Sequence, residues 1–171
     1  MSEAEIKKRM ITTTESFTLT ELAIESPRGE YNRRLSMTGI GDVGVISGEQ
    51  IVAQYRFRNL FLLVTCYDYF DGVSHWYYVV DQSGTIVDAA STPDYFGFLE
   101  RLEVIESNRI SFGFFGTNDR WYMELDERGF WSFRLGHLAR RMNRFLLRRR
   151  FISLKCTRGP AWIFSSKGPG Q

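Results

Sequence analysis

Residues 60–66, with the sequence LFLLVTC, place the strongest constraint on the fold because they form the most apolar run in the chain. Apolar and polar side chains do not alternate along this run, so neither of its faces is suited to contact with water. Short continuous apolar runs of this kind are typical of strands that are buried on both sides. The sequence therefore predicts a central strand at this position.

A pattern that starts with a Trp-Tyr pair occurs twice, and the two tryptophans are 45 residues apart. Residues 76–81 precede an Asp-x-x-Gly turn that ends at Gly84, and residues 121–126 precede a matching segment that ends at Gly129. Each copy is typical of a strand, a tight turn and a returning strand, so we expect two similar antiparallel meander units. The side chains expected on one face of each strand are Trp76, Tyr78 and Val80 in the first copy and Trp121, Met123 and Leu125 in the second.

The predicted fold class is mainly β (α+β), an antiparallel β-meander or sandwich with short helices added. Alternating side chains over residues 51–57 predict a half-buried strand, and a hairpin is expected across Ser107 and Asn108. Short helices are expected over residues 3–11 and from Tyr95 through Phe96 and Leu99 to Leu102. The apolar spacing of Leu135, Leu138, Ala139, Met142 and Phe145 predicts an amphipathic helix over 135–148, with strands after it at 151–154 and 161–164.

The chain has 171 residues, a length for which one domain is the default. We expect that domain to cover residues 1–164, followed by a disordered tail at 165–171. The first residues contain no apolar segment typical of a signal peptide, and no apolar run approaches the roughly 18 residues of a membrane span. The sequence therefore predicts a soluble, cytoplasmic protein.

The charge is distributed unevenly along the chain. Residues 129–171 contain 10 of the 22 Lys and Arg residues but no Asp or Glu. One interpretation is that the predicted C-terminal helix packs its basic side on an acidic body. The other is a surface for nucleic acid or an anionic membrane, formed by the arginines of that helix. These are Arg140, Arg141, Arg144 and Arg148.

The sequence contains no convincing catalytic or metal-binding motif. Residues 39–44 match the dinucleotide-binding spacing G-x-G-x-x-G, but glycine and β-branched residues follow where that motif requires a helix, which favours a hairpin. His75 and His137 have no recognisable nucleophile signature nearby. Cys66 and Cys156 do not form a ligand pair such as C-x-x-C. We therefore expect a protein that is not an enzyme and has no cofactor and no metal ion.

Two segments have aromatic residues where a plain turn prefers small polar ones, and a polar turn in the second unit completes a candidate surface. If the two meander units lie side by side, these segments share one edge. Aromatic anchors with a few charges on a stable scaffold are typical of protein-binding surfaces. The predicted partner-binding residues are Tyr69, Phe70, Asp71, Asp94, Tyr95, Phe96, Asn118 and Asp119.

The repeated Trp-Tyr…Asp-x-x-Gly units resemble single blades of propeller-type repeats. The chain as a whole, small, β-rich, rich in Trp and Tyr and without catalytic motifs, resembles the immunity proteins that bacteria encode beside polymorphic toxins. That resemblance implies a non-enzymatic inhibitor that binds one cognate toxin domain and blocks its active site. The alternative function is nucleic-acid binding through the Arg-rich C-terminal region.

Overall fold

The computed structural model describes residues 10–22, 31–69, 72–92, 97–132 and 148–157. These residues form strands in three antiparallel sheets, and none of them is helical. The chain is therefore mainly β, as predicted. In chain order the strands are β1 (Thr12–Thr13), β2 (Phe17–Glu21), β3 (Asn32–Met37), β4 (Gly41–Ser47), β5 (Gln50–Phe57), β6 (Leu60–Tyr69), β7 (Gly72–Asp81), β8 (Ile86–Ser91), β9 (Leu99–Glu106), β10 (Arg109–Phe114), β11 (Arg120–Ser132) and β12 (Arg148–Thr157).

The three sheets form three layers, and within each layer the strands follow one another in sequence, except that β1 pairs with β5 at the edge of the central sheet. The central sheet has the strand order β1-β5-β6-β7-β8. A second sheet, β12-β11-β10-β9, covers one of its faces, and a third sheet, β2-β3-β4, covers the other. Two consecutive four-strand meanders, β5 to β8 and β9 to β12, therefore lie face to face.

Strand β6 is buried along the whole apolar run that the sequence singled out. Leu60, Leu62 and Val64 point into the core shared with the β9–β12 sheet. Phe61 and Leu63 point into the core shared with the β2–β4 sheet. Since burying one such side chain contributes about 1.5–3 kcal/mol, this run supplies stability to both cores. The prediction of a central strand is confirmed.

The larger core lies between the central sheet and the β9–β12 sheet. Contacts between aromatic rings are prominent there: the Tyr77 and Phe112 rings are tilted with centroids 5.7 Å apart, and the Phe112 and Trp121 rings stack with centroids 6.3 Å apart. Met123 and Leu125 share the face of β11 that carries Trp121, as the alternation predicted. Trp121 retains 9% of its exposure and is a core residue.

The smaller core lies between the central sheet and the β2–β4 sheet. Phe17 and Phe61 meet edge to face with centroids 5.5 Å apart. Gln54 of β5 completes the junction, because its amide both accepts from the Phe17 N–H at 2.8 Å and donates to the Phe17 carbonyl at 3.0 Å. Trp76 packs against this core and is half-buried.

The G-x-G-x-x-G segment forms strand β4 and the turn before it. It is not followed by a helix, so it lacks the geometry of a dinucleotide site, as the sequence indicated. Asp42 uses its carboxylate to bind the Gly44 N–H at 3.0 Å and the Arg34 guanidinium at 2.9 Å. These glycines therefore shape an exposed hairpin.

The predicted helix from Tyr95 to Leu102 is wrong over its second half. Leu99 and Leu102 lie in β9 and pack against the larger core. A β-bulge adds one residue between them, and Arg101 adopts a left-handed φ of 53° in it. The bulge turns both leucines to the same face, so an i, i+3 spacing that suggests a helix arises within a strand. Residues 93–96 lie outside the described residues.

The segment after Asp126 corrects the prediction of two equivalent turns. Residues 126–129 do not end the strand; they form a wide bulge inside β11, and Phe130 continues the ladder opposite Arg150 of β12. Opposite the bulge, β12 is joined to β8 by Asp88, which is fully buried. Its carboxylate accepts the Phe151 N–H at 2.7 Å and contacts Arg150 Nε at 3.1 Å.

The other predicted elements have mixed outcomes. The hairpin across Ser107 and Asn108 is confirmed as β9–β10, and residues 151–154 lie in β12. Residues 135–147 of the predicted C-terminal helix lie outside the described residues, and Arg148 begins a strand. Residues 3–9, 161–164 and 165–171 also lie outside them, while Met10 and Ile11 are not helical.

Candidate binding surface

The chain reversals gather at two opposite ends of the layers. We call one end the aromatic end and define it by Tyr31, Gly48, Tyr69, the pair Phe98 and Phe115, and the turn that leads to Asp119. Several contacts bring these segments together. The Gly48 N–H donates to the Tyr31 carbonyl at 2.9 Å, and the ring of His75, close to the start of β7, lies 5.2 Å from that of Phe114 at the end of β10. The aromatic end therefore spans all three sheets.

Two exposed phenylalanines form the most prominent apolar feature of this end. Phe98 is 55% exposed and Phe115 is 62% exposed, and the Phe115 N–H donates to the Phe98 carbonyl at 2.9 Å. Gly97 makes this close approach possible, because a Cβ atom there would lie 2.4 Å from the Phe115 carbonyl oxygen. The backbone thus places two large apolar side chains next to one another at the surface.

A cavity of about 250 Å³ opens at the same end of β9 and β10, and Phe114, the sequence neighbour of Phe115, is part of its lining. Arg120 is anchored at its rim, since it donates to the Ser111 hydroxyl at 3.1 Å and lies 3.7 Å from a Glu103 carboxylate oxygen. Gly113 contributes no side chain and so leaves room inside. The residues that line the cavity are Glu100, Arg101, Phe112, Gly113, Phe114, Thr117, Asn118, Asp119 and Arg120.

A tyrosine cluster lies on the side of the aromatic end that faces the β2–β4 sheet. Tyr31 stacks on Tyr67, and the Tyr67 ring lies 5.5 Å from that of Tyr69, whose hydroxyl bonds to Ser74. The hydrogen bond with Tyr31 is the largest of the effects that raise the pKa of Tyr67 to about 12. The Tyr67 hydroxyl therefore stays protonated at neutral pH.

The structure places three of the predicted partner-binding residues at this end. Tyr69 closes strand β6, while Asn118 and Asp119 line the cavity. The other predicted residues lie outside the described residues: Phe70, Asp71, Asp94, Tyr95 and Phe96. Their described neighbours, Gly72 after the first group and Gly97 after the second, lie at the aromatic end.

Sequence reasoning missed the most exposed aromatic residues of this surface, Tyr31, Phe98 and Phe115. The sequence did contain a signal for Phe115. Phe112 and Phe114 take the inward positions of β10, so Phe115 falls at an outward position, where alternation predicts a polar residue. Tyr31 carried no such signal, since it joins the surface through contacts with residues distant in sequence, the stacking on Tyr67 and the hydrogen bond from Gly48.

The best candidates for chemistry are buried in the core. Cys66 and His75 are direct cross-strand neighbours in β6 and β7. Burial, followed by the charges of Glu49 and Asp68, raises the pKa of the Cys66 thiol, and burial lowers the pKa of His75 to about 4. A protonated thiol beside a neutral imidazole that is only 1% exposed has neither the thiolate nor the access that nucleophilic catalysis needs. His137 lies outside the described residues.

The described part of the chain contains no group of three His, Cys, Asp or Glu side chains placed to hold a metal ion. None of the described residues belongs to a helix that could cross a membrane.

The opposite end, which we call the charged end, is closed by polar contacts between its turns. Glu127 in the β11 bulge accepts from Arg58 at 2.6 Å and from Asn59 at 3.2 Å. Asn59 in turn accepts from Gln82 of the β7–β8 turn at 3.2 Å. These polar side chains at the charged end are therefore hydrogen-bonded to one another.

One exposed aromatic residue lies beyond the β11 bulge. Trp131 is 61% exposed and is paired across the strands with Arg149. The Arg149 guanidinium donates to the Arg128 carbonyl and lies 5.3 Å from the Phe151 ring. Of the four arginines predicted as an alternative basic surface, Arg148 lies in β12, and Arg140, Arg141 and Arg144 lie outside the described residues.

No family model, no curated protein and no solved structure matches the chain. The functional proposal therefore depends on the geometry described above.

Proposed function

We propose that this protein is a non-enzymatic protein-binding module and that its aromatic end is the binding surface. The observation that carries the proposal is the exposed pair Phe98 and Phe115. The backbone of both residues is already ordered, and an aromatic side chain has only two rotatable bonds, so little conformational entropy is lost when these rings are immobilised on binding. Such side chains dominate the energy of many protein interfaces.

The surroundings of the phenylalanine pair fit the same role. The adjacent cavity offers charged and amide groups at its rim, Asn118 and Asp119 among them. On the other side, Tyr31 and Tyr69 present aromatic rings with polar hydroxyls, a composition enriched at interfaces. An apolar centre with a polar border is the usual anatomy of a protein-binding surface.

We further propose that the partner is a toxin enzyme, that binding blocks its active site, and that the protein acts in the bacterial cytoplasm. This part of the proposal is supported by the resemblance in size, β content and aromatic content to bacterial immunity proteins. The three-layer β scaffold supports it physically, because a rigid framework lets loops bind without an ordering cost.

The test is affinity capture followed by calorimetry with the isolated partner. The wild-type protein is expected to retain one protein at a 1:1 ratio and to abolish an enzymatic activity of that protein. Phe98→Ser combined with Phe115→Ser is expected to weaken binding more than tenfold, equivalent to about 1.4 kcal/mol. Both side chains are exposed, so the melting temperature should change little.

Trp131→Ser is the matched control, because it removes an equally exposed aromatic residue away from the aromatic end. It is expected to leave affinity unchanged. A partner that binds the Phe98/Phe115 double variant as tightly as the wild type would exclude the aromatic end, and a bound partner that keeps its activity would exclude inhibition.

Nucleic-acid binding is the second candidate, and the exposed Trp131 beside Arg149 favours it. An aromatic face next to a guanidinium suits base stacking and phosphate contact. Under this alternative a fluorescent single-stranded oligonucleotide binds with an affinity that falls steeply with salt. Trp131→Ala and Arg149→Glu would each weaken it, and the phenylalanine double variant would not.

A further inference from the structure

Two arginines adopt a backbone conformation that normally favours glycine. Arg58 has a φ of 55° and Arg101 has a φ of 53°, and they are the only described residues other than glycine with a positive φ. A side chain at such a position is strained, so its presence points either to a contact that offsets the strain or to a functional role. The two arginines differ in this respect.

The compensation for Arg58 lies within the molecule. Its guanidinium is 2.6 Å from a Glu127 carboxylate oxygen and 5.2 Å from the centre of the Phe57 ring. These contacts join the β5–β6 turn to the bulge of β11. Glycine at this position would adopt the backbone conformation but would remove that link.

Arg101 has no corresponding link. It is exposed, and its guanidinium takes part in none of the ion pairs or hydrogen bonds formed within the described part of the chain. The bulge of β9 points it outward into the lining of the cavity, next to the Phe98 and Phe115 pair. Bulges that re-aim a side chain are common beside functional sites.

We propose that Arg101 is a recognition residue and that the cavity receives a carboxylate side chain of the partner protein. This inference rests on the proposed function and names the chemistry that its surface recognises. The planar guanidinium can bind a carboxylate through two parallel hydrogen bonds. In the unbound protein the fold bears the strain of Arg101, whereas the ion pair with Glu127 offsets the strain of Arg58.

The groups around Arg101 favour a carboxylate over the other ligand classes. Arg120, the second arginine of the cavity, is already engaged by Ser111 and Glu103. Of the two arginines that line the cavity, Arg101 is therefore the one whose guanidinium has no ion pair or hydrogen bond with the described residues. The neighbouring carboxylates Glu100 and Asp119 disfavour a phosphate group, which carries more negative charge than a carboxylate. The exposed phenylalanines suit the hydrocarbon stem of an amino-acid side chain.

The first experiment needs no partner and uses sodium propionate as the probe. Two-dimensional NMR spectra of the full chain are recorded during a titration, with sodium chloride at equal ionic strength as the reference. We expect saturable shifts at the Arg101 Nε–H and at the amides of Asn118 and Asp119. Arg101→Gly should abolish the amide shifts, and Arg58→Gly should retain them.

The two glycine variants also separate recognition from folding. Arg101→Gly should melt at or above the wild-type temperature, because it relieves strain without removing a contact. Arg58→Gly should melt at a lower temperature, because the ion pair with Glu127 is lost. A lower melting temperature for Arg101→Gly would show that its role is structural and would overturn the proposal.

Two other probes decide between ligand classes. Shifts at these amides caused by butylammonium chloride and not by propionate would overturn the proposal in favour of a cation held by Glu100 and Asp119. The same shifts caused by a short single-stranded oligonucleotide alone would assign the cavity to nucleic acid. Absence of any saturable propionate shift would also overturn it.

Once a partner is isolated, its affinity separates this inference from the proposed function. Arg101→Gly is expected to lower affinity at least tenfold, and Arg58→Gly is expected to leave it unchanged. If the Phe98/Phe115 double variant loses binding and Arg101→Gly does not, the surface is correct and the role of Arg101 is wrong. If neither affects binding, the proposed surface itself is wrong.

Discussion

Strands β7 and β11 carry the same Trp-Tyr pattern and are both the third strand of a four-strand meander, but their surroundings differ. Strand β7 lies in the central sheet, where Tyr77 is fully buried in the larger core and Trp76 packs against the smaller core. Strand β11 lies in an outer sheet, where Trp121 points into the larger core. Its neighbour Tyr122 faces outward under the Arg109 guanidinium, 4.4 Å from the ring centre.

The two tryptophans are therefore equivalent in position but not in direction relative to the shared core. The two meanders face one another across the larger core. The side chain of the Trp-Tyr pair that enters this core is Tyr77 in β7 and Trp121 in β11. Trp121 is buried in the larger core, whereas Trp76, at the matching position of the repeat, is only half-buried against the smaller core. A repeat in sequence fixes the alternation along a strand, but the stacking of sheets decides which side is covered.

The segments that follow the two strands also share their local geometry and differ in their tertiary context. The Asp81 carboxylate accepts the Ser83 N–H at 2.9 Å, and the Asp126 carboxylate accepts the Arg128 N–H at 2.9 Å. Gly84 and Gly129 follow with left-handed φ values of 83° and 66°. The local turn is thus the same, yet one reverses the chain into β8 and the other is a bulge that continues along β12.

The largest expected difference between the strands concerns their tryptophans. Trp121→Ala should lower the free energy of unfolding by about 3–5 kcal/mol, as truncation of a buried aromatic does. Trp76→Ala should cost about 1–2 kcal/mol, because Trp76 is only half-buried. Urea denaturation of both variants measures the difference. Equal losses would show that the two positions are energetically equivalent after all.

The residue before each tryptophan gives the next largest difference, through pH. His75 precedes Trp76 and is buried neutral with its pKa lowered to about 4, whereas Arg120 precedes Trp121 at the cavity rim. The unfolded chain, with a His pKa of about 6.5, takes up the proton first as the pH falls. Stability contributed by His75 is therefore complete above about pH 6.5 and is lost progressively down to about pH 4, by at most about 3 kcal/mol.

Urea denaturation at a series of pH values between 7 and 4 measures this slope. His75→Gln should flatten it, and Arg120→Gln, the matched change in β11, should preserve it. An unchanged slope in His75→Gln would assign the pH dependence to other groups.

The smallest expected effect compares the turn with the bulge. Gly84→Ala and Gly129→Ala each place a Cβ atom on a left-handed residue, at a cost of about 1–2 kcal/mol. The added atom would also lie 3.0 Å from Ile40 Cγ2 in one case and 2.9 Å from Arg149 Cγ in the other. Similar shifts in urea midpoint are expected. A negligible effect at Gly129 alone would mean that the bulge does not depend on the left-handed glycine.

The sequence predicted less of the candidate surface than of the core. Tyr69, Asn118 and Asp119 were predicted because turn residues next to strands can be identified locally, and the structure places them at the aromatic end. Phe98 was missed because it falls inside the range predicted as a helix, a prediction that depended on the i, i+3 spacing of Leu99 and Leu102 across the bulge at Arg101. Tyr31 was missed because its partner Tyr67 lies in another sheet.

The sequence by itself determined the strand character of the chain, the doubly buried strand β6 and the local geometry of the Asp-x-x-Gly segments. These features depend on neighbouring residues, through side-chain alternation and hydrogen bonds within a turn. Tertiary structure alone decided which faces the sheets cover, whether Gly84 and Gly129 lie in a turn or a bulge, and which segments meet at the aromatic end. These outcomes depend on contacts between strands that are distant in sequence, and a one-residue bulge such as that at Arg101 is enough to redirect a side chain.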